Sequence, residues 1–543
     1  MKRYNRKRGL VFILTYLTII LLISCTQSPT LQQDSFKNKI HEANDGSSGL
    51  NEINSEALQH MMDGQLYLDQ GDFAMAIVEL QEVLRLEPNV SSIYISLAEC
   101  YWNLNKPERS MEYLESAIEI DPDNSTTREV MAEQLFRLQD FSKSEEQYKI
   151  LLELNPESED YLFALGDLAK IQNRYDQAIG YYKNVYDLNN ENIQALELTT
   201  DLMHRLGKFN EADELYRKLL KADSLNVQYL SAYADLNVQL NKPEKAIELV
   251  KKIITIEGSS IESLIQLGVL YNELERDDEA IEIFHEILRQ DSTNAVGLHL
   301  LSTIYRENLE YDKAQLYADS MIIVFPENSQ GFINSALIAL DQNDNEKAIT
   351  ILSPAAVDFP EDYSVQYLLG MSYYQSENYK MATVFLDNAR QIAPNSRNTL
   401  HVLAIVNDNL NNWTISDGIY QQLIQTDSTD TQALNNFAYS LIERGEKIEL
   451  SQKYARRAIE LAPDQAAYLD TYGWILFKMG NTKEAHKYID KSLEIDSENA
   501  EVLKHMGDIL IKMKKKTEAK EFYQKALSID PTNQQLIEKL SDF

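Results

Sequence analysis

The sequence predicts an all-α solenoid, a stack of helix–turn–helix units that grows by repetition and needs no central core. Three observations predict it: landmark residues recur at a spacing of 34, each unit holds two amphipathic helical patterns joined by a short hinge, and the positions where the two helices would meet are small in every unit.

Residues 465–499 show one whole unit, QAAYLDTYGWILFKMGNTKEAHKYIDKSLEIDSEN, hinged at Met479, Gly480 and Asn481. The turn that closes it falls at Ser497, and its counterparts run from Pro88 and Pro122 through Ser428, then, after one inserted residue, to Pro463 and Pro531. That spacing predicts fourteen units. The first-helix contact position is Gly64, Ala98, Ala132, Gly166, Thr200, Ala234, Gly268, Ser302, Ala336, Gly370, Ala404, Ala438, Gly473 and Gly507. The second-helix contact position, from Ala76 to Ala519, is Ala or Ser throughout. Two antiparallel helices approach closely only where both contact sites are small, because a larger side chain pushes the axes apart and opens a void.

Eight of the twelve prolines sit on the inter-repeat turns, where they stop one helix before the next begins. Pro107 and Pro243 follow Asn-Lys inside a unit and are suited to start a second helix. Pro354 falls inside the second helix of the ninth unit, where it is expected to remove a backbone hydrogen bond and bend the helix. The inserted residue of the twelfth unit, within 443–449, is expected to lengthen the loop between its helices, and residues 534–543 are expected to form a helix that covers the exposed end of the stack.

This pattern resembles the tetratricopeptide repeat family. The resemblance implies a right-handed superhelical array of about 14 repeats over residues 55–533, in which the first helix of each unit lines a concave groove that binds protein or peptide partners. ALNNFAY at 433–439 and YLDTYGW at 468–474 resemble a paired-repeat signature of bacterial envelope proteins of this family. The Lys and Asn arrangement by which some members clamp a C-terminal carboxylate is not matched.

The N-terminus carries a basic head, an apolar run over about residues 10–23, and Ser24 before Cys25. The run is shorter than the ~20 residues needed to span a bilayer and has the length of a signal-peptide core. Leu22, Ile23, Ser24 and Cys25 resemble a bacterial lipobox, which implies that residues 1–24 are removed and that Cys25 carries lipid. Diacylglyceryl and N-acyl chains together exceed the two-signal threshold for stable attachment. Thr26 after the cysteine, in place of Asp, resembles outer-membrane sorting where two membranes exist. Residues 25–54 are polar and read as a flexible tether. With Cys25 lipidated, Cys100 has no disulfide partner and is expected to be a buried small hydrophobe.

The formal charge of −34 includes five cations of the N-terminal head, so the chain after residue 24 is more acidic still. Nucleic-acid binding, which needs clustered Lys and Arg, is disfavoured. Lys512, Lys514, Lys515 and Lys516 form one basic cluster, in the loop of the last unit, where a solvated helix-ending loop accounts for them. No catalytic motif is present: His285-Glu286-Ile287-Leu288-Arg289 lacks the second His of a zincin helix, the turn at Asp121 lacks the Gly and Glu of a calcium loop, and the eight histidines show no metal spacing. The sequence therefore predicts no enzyme, no cofactor, no metal and no small-molecule substrate.

What remains is surface. The fifth and ninth positions of each first helix share a face. In the early units they include Glu99, Glu129, Glu133, Asp167, Glu197, Asp201 and Asp235, and in the later ones Ile333, Leu337, Tyr367, Met371, Ile405, Tyr439 and Trp474. Acids on such a wall are ordinarily a solvated face. Apolar and aromatic groups there mark either a partner-binding site, with Ile333, Leu337, Tyr367, Met371, Tyr439 and Trp474 as candidates, or side chains that the stacking buries. The reading is a lipid-anchored scaffold of the cell envelope; its alternative is a dedicated accessory subunit of an envelope enzyme or of a secretion or assembly machine.

Overall fold

The computed structural model describes residues 54–541 and 543. The expected signal peptide, Cys25 and all but the last residue of the expected tether lie outside the described residues. Among the described residues there are 29 helices and no strand, and they fall into two compact units that divide between Asn241 and Lys242.

The first unit contains α1 (Ser55–Asp69) and α2 (Phe73–Leu86), α3 (Ser91–Asn103) and α4 (Pro107–Ile120), α5 (Ser125–Arg137) and α6 (Phe141–Leu154), α7 (Glu159–Ile171) and α8 (Tyr175–Leu188), α9 (Ile193–Arg205) and α10 (Phe209–Ala222), and α11 (Val227–Gln239). The second begins with α12 (Pro243–Glu257) and continues with α13 (Ile261–Glu273) and α14 (Asp277–Gln290), α15 (Ala295–Glu307) and α16 (Tyr311–Val324), α17 (Gln330–Asp341) and α18 (Asn345–Asp358), and α19 (Tyr363–Gln375) and α20 (Tyr379–Ile392). It closes with α21 (Arg397–Asn409) and α22 (Trp413–Thr426), α23 (Thr431–Glu443) and α24 (Ile448–Leu461), α25 (Ala466–Lys478) and α26 (Thr482–Ile495), α27 (Ala500–Lys512) and α28 (Lys516–Ile529), and α29 (Gln534–Ser541). Each helix packs on the next within its unit, so both units are all-α repeat solenoids.

Two local devices set the period. Between most repeats, the second residue after the turn position caps the next helix: Asn124 accepts from Thr127 N–H, Ser158 from Tyr161 N–H and Asp430 from Ala433 N–H, each satisfying a donor that the first helical turn leaves open. Within repeats, the chain reverses through a left-handed residue. That residue recurs every 34 positions, as at Asn105, Asn173, Leu309 and Asn411, and Gly480 takes it at φ 87°. The amide after it bonds back to the carbonyl five residues earlier, as in Lys106 N–H to Tyr101 O at 2.9 Å, which satisfies helix-end carbonyls. In the twelfth repeat the loop between α23 and α24 holds four residues, and Lys447 adds a second left-handed residue at φ 45°.

The small contact positions are where the helices meet. Ser110 Oγ donates to Ala98 O at 2.7 Å, Ser144 to Ala132 O at 2.8 Å, and Ser451 to Ala438 O at 2.7 Å, so here a serine of the second helix touches the backbone of the first. The first-helix position also faces the bulky residue one turn further along the second helix. A Cβ added at Gly370 would stand 2.7 Å from Leu386 Cγ and 3.1 Å from the Leu386 backbone nitrogen. At Gly507 it would stand 2.3 Å from the Tyr523 ring.

Pro354 lies inside α18, which nevertheless continues to Asp358, with Ala355 and Ala356 buried just beyond it. Leu536 of α29 is buried in the core of the last repeats. Cys100 is fully buried, and burial pushes its thiol up to about 12, so it packs as a small hydrophobe.

Gly370→Leu should lower stability by about 1 to 3 kcal/mol from overpacking, because the obstacle includes backbone. Hydrogen exchange should show the loosening greatest in α19 and α20 and fading within a repeat or two; uniform loosening would contradict nearest-neighbour stacking. In the opposite sense, Leu309 is exposed and held at φ 65°, so Leu309→Gly should stabilise α15 and α16 by about 0.5 to 1 kcal/mol, read as an upward shift in the denaturation midpoint.

Candidate partner-binding face

In residues 242–543 every first helix from α13 to α25 touches the first helix of the following repeat, so these helices form a continuous row. Their fifth and ninth positions lie along it, and packing treats them unequally.

Ile333 and Trp474 are buried, so packing within the fold accounts for both without a bound partner. Ile333 belongs to a cluster with Ala336, Leu352, Val365 and Leu369. Trp474 lies against the next first helix, its ring stacked on His505 with centroids 3.9 Å apart, and its indole N–H donates to Glu443 Oε1 at 2.7 Å. The reason is the direct packing of neighbouring first helices, which covers a ring at the ninth position.

Leu337, Tyr367, Met371, Ile405 and Tyr439 stay half-buried. Leu337 packs on the edge of the Ile333 cluster. The Tyr367 ring stacks on Tyr363 at 5.6 Å, nearly parallel, and burial raises its phenol pKa. Tyr439 donates to Glu501 Oε1 at 3.0 Å, reaching across a whole repeat from α23 to α27. Between these residues runs a polar set that the sequence reading did not single out. Asp408 accepts from Ser416 at 2.6 Å, Ser440 at 2.9 Å and Tyr420 at 3.0 Å, and its burial raises its pKa. His401 Nε2 lies 3.0 Å from Asp430 Oδ2, Arg397 Nη2 lies 2.9 Å from the same oxygen, and Asp470 Oδ1 lies 2.9 Å from His505 Nδ1. The signal was present: His401, Asn435 and Asp470 occupy the fifth position of three successive repeats, where the preceding repeats carry Ile333 and Tyr367.

The acids of the first unit are tied into the fold. Tyr161 donates to Glu129 and Tyr229 to Glu197, each from the following repeat, while Tyr182 donates to Asp167 at 2.6 Å. Arg137 and Arg205 lie 2.8 and 3.0 Å from Glu133 and Asp201. Burial, helped by Asp69, raises the Glu99 carboxyl. These contacts make Glu129 and Glu197 links between repeats, pair Glu133, Asp167 and Asp201 within their own, and weaken the case for a free acidic groove. Among the described residues no group of three His, Cys, Asp or Glu side chains could hold a metal ion, and no helix is long and apolar enough to cross a membrane.

Five family models, each described as tetratricopeptide repeat, match the chain at residues 67–133, at 130–193, 205–260 and 333–396, at 262–293, at 466–499, and at 500–533. Together they cover well over half of it. No curated protein matches. Among solved structures, the APC/C hetero-tetramer Cut9-Hcn1 aligns at 16% identity and TM-score 0.39, covering 90% of this chain and 96% of that one. The structure of Naa15/Naa10 bound to HypK-THB aligns at 12% identity and TM-score 0.38 with the same coverages.

Asp430 supplies a pH test. Burial works against its charge, but the His401 hydrogen bond, the Ala433 amide and the Arg397 guanidinium outweigh it and hold the carboxyl at about 2, below the ordinary aspartate value. A depressed folded pKa contributes stability that is present above about pH 4 and lost as pH falls through 2, here about 2 kcal/mol. Acid titration should therefore loosen α21 and α23 between pH 4 and 2, and Asp430→Asn should remove that component while lowering stability at pH 7.

Proposed function

Because the chain belongs to the tetratricopeptide repeat family, we propose that it is a lipid-anchored scaffold of a bacterial cell envelope that holds protein partners on the first-helix row of α17 to α23 and performs no chemistry of its own. One observation carries the placement. Leu337, Met371, Ile405 and Tyr439 recur at the ninth position of four successive first helices, with Tyr367 at a fifth position among them, and all five stay half-buried. Side chains of this kind on a wet face, in a chain of net charge −34, supply contact area at low cost in conformational entropy. The anchor rests on Leu22, Ile23, Ser24 and Cys25, and Thr26 favours the outer membrane where there are two.

Co-purification from detergent-solubilised membranes tests the role. A changing set of partners is expected of a scaffold, whereas a single complex of fixed stoichiometry would make the chain a dedicated subunit. Tyr367→Ala with Met371→Ala should weaken partner capture more than tenfold while the melting temperature falls only modestly, since interface anchors commonly contribute about 1 to 4 kcal/mol. Normal capture by that variant would place the partner elsewhere. For the anchor, Cys25→Ser should abolish metabolic lipid labelling and leave an unprocessed precursor; unchanged labelling would end the lipoprotein reading.

A further inference from the structure

The second helices carry a face that the first-helix row does not use. One register position of the second helix, two residues after its small contact site, holds a charge in most repeats, as at Glu112, Glu214, Glu248, Glu282, Lys453 and Glu521. In the four successive repeats of α16, α18, α20 and α22 it holds Leu316, Thr350, Val384 and Gly418. Two turns further along each helix, on the same side, the charges seen in other repeats at Glu119, Asp187, Arg289 and Glu494 give way to Ile323, Val357, Gln391 and Gln425. All these uncharged residues are exposed, Ile323 at 79% and Val357 at 78%, and Pro354 lies exposed between Thr350 and Val357. At the margin of the face Asp387 lies 2.9 Å from Arg390, Lys313 lies 2.6 Å from Glu310, and Asp319 accepts from Gln315 at 2.7 Å. A chain of formal charge −34 thus keeps these outward positions uncharged, and in part apolar, through four neighbouring repeats.

We propose that the outward faces of α16, α18, α20 and α22 bind the same faces of a second copy of this chain, forming a two-fold dimer. Charge selects the occupant. A basic partner would be drawn to the acidic remainder of the surface, whereas two chains of charge −34 repel and approach most readily where neither presents charge. Shape agrees with charge. The first of the two positions alternates large and small along the row: Leu316, Thr350, Val384, Gly418. A two-fold axis parallel to the helices, between α18 and α20, reverses that order in the second copy. Leu316 then meets Gly418 of the second copy, and Val384 meets Thr350. A Cβ added at Gly418 would have nothing within 4 Å in its own chain, so the incoming leucine finds room. Isologous contacts of this kind close after two copies. Each of the four helices has 14 residues and is about 21 Å long and about 10 Å across. Together they offer on the order of 800 Å², the share that each partner buries in a standard-size interface. The dimer uses the second helices and leaves the first-helix row to other partners.

The test uses the full chain in detergent, with its protein mass followed by analytical ultracentrifugation over a thousandfold range of concentration. The wild-type chain should pass from one copy to two, and added salt should tighten the dimer by screening the repulsion between acidic chains. Leu316→Glu with Val384→Glu gives α16 and α20 the residue that Glu248 and Glu282 place at the same position of α12 and α14, so the variant should fold as the wild type does and dimerise at least a hundredfold more weakly. Val78→Glu, at the same register on α2 outside this face, should leave dimerisation unchanged. Gly418→Leu should weaken the dimer about tenfold while raising the melting temperature of the dilute monomer, because leucine favours a helix over glycine. Adding Leu316→Ala to Gly418→Leu exchanges the large and small partners and should restore the dimer; failure of that rescue would overturn the two-fold pairing. A wild-type chain that is monomeric at every concentration, or a dimer indifferent to Leu316→Glu with Val384→Glu, would overturn the proposal. So would protection of α16 to α22 from hydrogen exchange that appears only with phosphatidylcholine vesicles or only with a different co-purified protein, which would give the face to lipid or to that protein.

Discussion

Everything in this chain depends on how closely the two helices of a repeat approach. Ala or Ser on the second helix meets a small residue on the first, and in several repeats the contact is tight enough for a serine hydroxyl to bond the facing backbone carbonyl. Such contacts tolerate little change in volume, so each repeat has nearly one geometry. The left-handed residue between the helices and the Asn, Ser or Asp cap between repeats then return the chain to the same register every 34 residues. A fixed period is what aligns equivalent side chains from separate repeats into rows.

What the rows become differs between the two units. In residues 54–241 the acidic positions are occupied by partners: tyrosines of the following repeat bond Glu129 and Glu197, and arginines one turn away bond Glu133 and Asp201. In residues 242–543 direct contact between first helices has two effects on apolar groups. It covers Ile333 and Trp474 and leaves Leu337, Tyr367, Met371, Ile405 and Tyr439 partly open. The same row therefore supplies both cohesion and surface, and the ring size at a position does not say which.

The polar groups of the later repeats add specificity to that cohesion. Asp408 gathers three hydroxyls from two helices, and Tyr439 reaches Glu501 two repeats away, a longer reach than neighbour stacking alone provides. Buried ionic and hydrogen-bonded groups add little net stability against apolar packing of the same volume, but each is costly to break, so they resist slippage of one repeat against the next. His401 and Asn435 stand apart, because each keeps an acceptor that the fold does not use.

The sequence by itself determined the helix–turn–helix period, the small contact sites and the family, because these follow from local spacing: a residue must be small, a helix-stopper or a helix-starter wherever it recurs. The inter-repeat caps are equally local, two residues after most turns, as at Asn124 and Asp430. Only the tertiary structure decided which wall residues are surface. Trp474 and Tyr439 hold the same register, yet one lies under its neighbour and the other keeps an open edge, because exposure depends on how far the next first helix overlaps. It also decided that Glu129 and Glu197, two repeats apart, are each partnered by a tyrosine 32 residues further on, and that His401 and Asn435 each keep an acceptor without a partner. Those outcomes depend on distances between atoms far apart in the chain, and residue spacing alone does not carry them.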